Sequence, residues 1–151
     1  MQSMVLSALR ILQPATVKAD TLGSMNLFRE LPWPELEAAA SHFEELAVPR
    51  GARLTVQGHA VGRLTLLVSG EALVSADARP LRVIGHGDAV GLPGMLYRIK
   101  SHETTIALSP IRAFSAGPGE FRILLRQATI RRRLTAMAAD QLRGRRLFRG
   151  R

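Results

Sequence analysis

The 151 residues contain no cysteine. That excludes disulfides, thiolate nucleophiles, iron–sulfur clusters and cysteine-held zinc together, and it suits a reducing compartment, so a cytoplasmic location is expected. No apolar run approaches the ~20 residues that a membrane span requires. The mildly apolar start, residues 1–12, is interrupted by Arg10 and has no charged leader, so it does not read as a signal peptide. Acidic residues are nearly missing from the C-terminal end. Residues 126–151 hold nine arginines against Asp140 alone, which accounts for +8 of the net +9 charge. Catalytic signatures are missing too. There is no serine elbow and no His-Glu-x-x-His, so no catalytic residue is assigned and the chain is expected not to be an enzyme. The four histidines (42, 59, 86 and 102) lie far apart. A β-roll could bring His86 and His102 together, or offer one to a haem iron, but there is no third histidine, no His-x-His pair and nothing to single one out. No metal and no cofactor is expected.

What is present is enough apolar residue, 46%, against 22% charged, for one globular domain with a single core. The apolar spacing of Met4–Leu12 suggests a short helix stopped by Pro14, and residues 15–24 read as a linker. Pro34 and Glu35 then open a helix running to about Glu45, with Leu36, Ala39, Ala40 and Phe43 on its apolar face and Leu27, Phe28 and Trp33 packed beneath. After Pro49 the rhythm changes. Short strands are expected at 46–48, 53–56, 64–68, 72–74, 81–84, 104–108 and 111–115, separated by closely spaced turn signals. That pattern argues for an antiparallel barrel or jelly roll. From Glu120 to about Arg143 the chain reads as one helix, roughly 35 Å long at 1.5 Å per residue.

The stretch from Gly85 to Ala107 organises the rest. Its glycines at 85, 87, 91 and 94 permit sharp turns or close approach of a ligand. A single helical turn, Met95-Leu96-Tyr97, follows, and then the β-branched Thr104-Thr105-Ile106. Exposed amides on such a loop can cradle an anion, although glycine-rich loops more often serve as corners between strands.

In this order the residues resemble the cyclic-nucleotide-binding domain of the catabolite-activator (Crp/Fnr-like) regulators, over about Leu27 to Leu142. Pro49-Arg50-Gly51-Ala52-Arg53-Leu54 with Gly58 resembles that family's Pro-x-Gly-x-x-Leu-x-x-x-Gly turn. Leu64–Val68 with Ser69-Gly70 is similar to its apolar strand ending in Ser-Gly, and Gly85-His86-Gly87-Asp88-Ala89-Val90-Gly91 to its Gly-x-Gly-Asp-x-x-Gly entry to the phosphate-binding cassette. Pro118 falls where the family's Pro-x-x-x-Phe helix begins. The resemblance implies a mainly β fold: an antiparallel β-jelly-roll (double-stranded β-helix) with flanking helices, followed by a long C-terminal dimerisation helix. The expected division is 1–24 as helix and linker, 25–142 as the domain including the long helix, and 143–151 as a basic tail.

The cassette departs from the family's pattern. Where nucleotide-binding members carry a ribose-binding glutamate, this chain has Leu92, followed by Pro93; where they carry a phosphate-binding arginine, alignment on Thr104-Thr105-Ile106 puts His102, with Glu103 beside it. The expectation is a ligand-sensing regulatory domain with a degenerate cassette. Its candidate ligand-binding residues are Gly91, Leu92, Met95, Arg98, Lys100, His102, Glu103 and Thr104. Cyclic AMP is expected to bind weakly or not at all. The apolar stripe of the last helix outruns a small barrel, so a homodimer is expected through Ile130, Leu134, Met137 and Ala138. The family's helix-turn-helix is not found after that helix. The competing reading is a basic adaptor that binds nucleic acid or an acidic protein nonspecifically, through Arg131, Arg132, Arg133, Arg145 and Arg146. Only Phe148 interleaves with the tail arginines, so base stacking there is not expected.

Overall fold

The computed structural model describes residues 9–11 and 15–149, with side chains over 17–143. Nine strands form two antiparallel sheets among the described residues. Strands β1 (Leu9–Ile11), β2 (Glu44–Val48), β9 (Ile111–Ala116), β4 (Leu64–Ser69) and β7 (Ala89–Val90) make a five-stranded sheet in the order β1-β2-β9-β4-β7. Strands β3 (Arg53–Thr55), β8 (Thr104–Ala107), β5 (Ala72–Ala76) and β6 (Arg79–Ile84) make a four-stranded sheet in the order β3-β8-β5-β6. With helices on the flank, this is the jelly roll expected. Five helices accompany the sheets: α1 (Ala15–Gly23), α2 (Trp33–Ala40), α3 (Leu92–Tyr97), α4 (Pro118–Leu124) and α5 (Ala128–Arg149). A single 3-10 turn spans Asn26–Phe28. No helix among the described residues is long and apolar enough to cross a membrane.

The five-stranded sheet is buried on both faces, which explains why Leu64–Leu67, Thr65 included, are all buried. Its inner face, with Leu46, Val48, Leu67, Ile111 and Ala113, packs against Ala72 and Ala107 of the other sheet. Its outer face, with Leu64, Leu66, Phe114 and Ala116, packs against Leu22, Phe28, Leu36, Phe43, Phe121 and Ile130 of the helical layer. Phe43 links the aromatic contacts there, edge-on to Phe28 and tilted against Phe114.

Five local readings are corrected. Leu9–Ile11 is a strand paired antiparallel with β2, not part of a helix; the remainder of Met4–Leu12 lies outside the described residues apart from these three. A short apolar run fits either period, and pairing with a sheet edge decides it. Residues 15–23 are a helix rather than a linker, because Ala19 and Leu22 are buried in the helical layer. Helix α2 stops at Ala40 and the chain is already a strand at Glu44, where Glu45 is buried and ion-paired with Arg112. Trp33, expected in the core, is 43% exposed at the start of α2. The expected single C-terminal helix is two. Arg126 N–H and Gln127 N–H bond three residues back, to Ile123 and Leu124, and this tightened turn separates α4 from α5. Neither glycine nor proline marks the break.

The break sets the course of α5. Ile130, Leu134 and Ala138, the residues expected to face a second copy, are at most 1% exposed within this one chain. They pack in the helical layer, where α5 meets α3 and the 3-10 turn. These three residues of the stripe are therefore covered by their own chain, while Met137 and Leu142 stay half-buried. Arg133 reinforces this docking by donating from Nη1 to the carbonyl oxygens of Leu27 (3.1 Å) and Arg29 (2.7 Å), so it does not point outward with Arg131 and Arg132.

Candidate ligand cavity

A cavity of about 470 Å³ lies between the four-stranded sheet, the 85–103 loop and the inner side of α5. The volume is within the usual range of small-molecule sites, about 300–1,000 Å³. Its floor follows from strand register. Arg82 pairs with Val74, Val74 with Thr105, and Thr105 with Thr55, so one row crosses β6, β5, β8 and β3. All four residues line the cavity. The apolar wall includes Val61, Leu81, Ile84, Val90, Pro93 and Ile99. Helix α5 closes one side with Met137, Asp140, Gln141 and Leu142, and Gln141 Nε2 donates to the Ala89 carbonyl at 3.2 Å.

The glycine loop is explained largely by packing. Gly91 has φ +85°, and a Cβ there would come within 2.8 Å of the Arg63 carbonyl oxygen and of Val61 Cγ1. At Gly94 a Cβ would lie 2.3 Å from Val61 Cγ2. Both glycines thus let the loop press onto the segment before β4. Pro93 has no N–H to offer at the start of α3, and Leu92 and Gly94 are buried.

Of the eight candidate ligand residues, Gly91, Lys100, His102 and Glu103 line the cavity. Leu92 does not. It is 0% exposed in the helical core. Met95 packs against the same core, and Arg98 is exposed on a left-handed residue (φ +56°) that ends α3. Thr104 is turned to the loop after β3, its Oγ1 accepting the Gln57 N–H at 2.9 Å. Met137 of the supposed dimer seam is a cavity residue instead.

The residue that sequence reasoning missed is Arg82. Its guanidinium meets the Glu103 carboxylate in a two-pronged pair, Nη1 to Oε2 at 3.1 Å and Nη2 to Oε1 at 3.2 Å. Glu103 is held independently of this pair. Its backbone N–H bonds Ser101 Oγ (3.2 Å), and its carbonyl accepts from Ser101 Oγ (2.6 Å) and Thr55 Oγ1 (3.1 Å). The local sign of Arg82 was a charge between the apolar Leu81 and Val83, and its partner lies 21 residues on.

The fold is that of cyclic-nucleotide-binding domains. A cyclic nucleotide-binding domain from Methylobacillus flagellatus KT superposes with a TM-score of 0.77 at 17% identity, over 95% of this chain and 88% of that one. The Thermus thermophilus catabolite activator protein matches with a TM-score of 0.71 at 24% identity, over 80% of this chain and 60% of that one. A cAMP-binding acyltransferase from Mycobacterium smegmatis matches with a TM-score of 0.66 at 23% identity, over 89% of this chain and 43% of that one. The chain thus spans less than two thirds of the last two proteins. No family model matches the sequence, and no curated protein matches it.

Proposed function

We propose that this chain is a ligand-sensing regulatory domain of the cyclic-nucleotide-binding type, serving transcriptional or signalling regulation in the cytoplasm without catalysing a reaction. Residues 25–142 are its working unit, extended by the packed helix α1. The observation that carries this reading is the cavity itself. Four residues of α5 complete it, so an occupant touches both the jelly roll and the last helix. A ligand that contacts α5 in one position and not another shifts the helix by its differential affinity. Cyclic AMP is a weak occupant or none. The family's glutamate and arginine positions hold Leu92 and His102. Each charged hydrogen bond contributes about 1.5–3 kcal/mol, so losing two lowers affinity by roughly two to four powers of ten.

Thermal unfolding with cyclic nucleotides, adenosine and small carboxylic acids tests the reading. A ligand at about 100 times its Kd stabilises by about 2.7 kcal/mol, a rise of roughly 5–11 °C for a chain of this size. Val74→Trp, growing from the middle of the cavity floor, is expected to abolish the rise. No shift across the panel at millimolar concentration counts against a small-molecule site.

A homodimer through α5, which the resemblance implies, would use the outer face with Arg131, Arg132, Thr135 and Ala136. Light scattering measures it. The second reading, a basic adaptor for polyanions, rests on Arg131 and Arg132, both exposed. Arg145 and Arg146 lie beyond the described side chains.

A further inference from the structure

We propose that Glu103 sets the specificity of the cavity, by occupying the one arginine there and so favouring uncharged ligands over anionic ones. The inference rests on the cavity being the ligand site and names the class of ligand it takes.

Arg82 stands on a paired strand, in register with Val74, and lines the cavity. A guanidinium so placed would present its planar fork to a phosphate or carboxylate. The Glu103 carboxylate already takes both prongs. Its backbone is tied down by Ser101 and Thr55, so the carboxylate is delivered to Arg82 by a braced loop. An incoming anion must therefore displace a tethered one and then sit beside it, since the Glu103 side chain is only 22% exposed. Arg82 itself is 43% exposed, and two carboxylates held that close on one guanidinium still repel.

The remaining charges do not reverse this. Two cations, Arg82 and Lys100, and three carboxylates, Asp88, Glu103 and Asp140, line the cavity. Lys100 and His102 are exposed at its rim, where solvent screens them. Asp88 accepts the Gly85 N–H, and Asp140 pairs with Arg143. The rest of the wall is largely aliphatic, with the hydroxyls of Thr55 and Thr105 bonded to each other at 3.1 Å. An uncharged molecule with an apolar body meets no unpaired charge on that floor.

Glu103→Gln keeps the shape and removes the competing charge. Cyclic AMP and adenosine, an anion and its uncharged counterpart, are titrated calorimetrically into the wild-type protein, Glu103→Gln, and Glu103→Gln with Arg82→Gln. Wild type is expected to bind cyclic AMP no more tightly than adenosine. Glu103→Gln is expected to gain at least tenfold more for cyclic AMP than for adenosine, with the gain lost in the double variant. The proposal is overturned if Glu103→Gln binds cyclic AMP no better than wild type up to millimolar concentration, or if the gain survives loss of Arg82. A gain that survives filling the cavity with Val74→Trp overturns the assignment of the cavity as well. Unchanged urea midpoints across the variants show that folding is not what the titrations read.

Discussion

Leu92→Glu restores, on paper, the glutamate that nucleotide-binding relatives carry, and a sequence alignment alone expects it to raise affinity for cyclic AMP. The structure gives the opposite expectation. Leu92 is 0% exposed among the apolar side chains of the helical layer. Losing its burial costs about 1.5–3 kcal/mol. A carboxylate placed there avoids the larger cost of a buried charge by staying protonated. Holding it protonated at pH 7, against an ordinary value of about 4.3, costs about 4 kcal/mol. The sum, roughly 5–7 kcal/mol, rivals the whole stability of a typical domain, about 5–15 kcal/mol. The sign with pH is also fixed. A carboxyl whose folded pKa is raised destabilises increasingly as pH rises above its unfolded value. The deficit is therefore smaller at pH 5 by roughly 3 kcal/mol, two pH units at about 1.4 kcal/mol each. Urea unfolding at pH 5 and pH 7 measures both quantities, with Leu92→Met as a control expected to lose less than about 1.5 kcal/mol. A Leu92→Glu protein with the wild-type midpoint at pH 7 and tighter cyclic AMP binding would show that residue 92 faces the cavity, and would refute the reasoning.

Other substitutions test other parts of the fold. Leu134→Ala is expected to lose about 2–5 kcal/mol from the folding of a single chain, by urea midpoints that do not depend on protein concentration; a loss seen only as dissociation would restore the dimer seam. Gly94→Ala pushes a methyl into Val61 and is expected to cost about 1–3 kcal/mol in the same assay. Removing residues 144–151 is expected to leave thermal stability nearly unchanged while removing most of any salt-dependent shift of DNA in a gel. Persistence of that shift would place the polyanion surface elsewhere.

Much of the fold was legible in the chain because its signals are local. Turn residues at short intervals marked seven of the nine strands, and the ordered set from Pro49 to Pro118 carried the resemblance to one fold. The i, i+3, i+4 spacing of Leu36, Ala39 and Ala40 identified the buried face of α2; Phe43, expected on that face, is buried but lies beyond the end of the helix. The errors fell where tertiary contacts choose between locally equivalent states. Leu9–Ile11 is a strand because a sheet edge is there to pair with it, and α4 and α5 are separated by the tightened turn at Arg126 and Gln127 although both pack into the same helical layer.

The candidate site divides in the same way. That a glycine-rich corner near residues 85–107 borders the cavity was readable from the sequence, since glycine and β-branched residues announce loop and strand without help. Which side chains face inward was not. Leu92 and Gly91 are neighbours, yet one lies in the core and the other borders the cavity. Arg82 and Glu103 are 21 residues apart and meet only because β6 and β8 flank β5 in one sheet. The sequence by itself determined the parts, their order and the excess of positive charge at the C-terminal end. The tertiary structure alone decided which charges neutralise each other inside the cavity, because strand register, not sequence distance, sets the separation of side chains on a sheet.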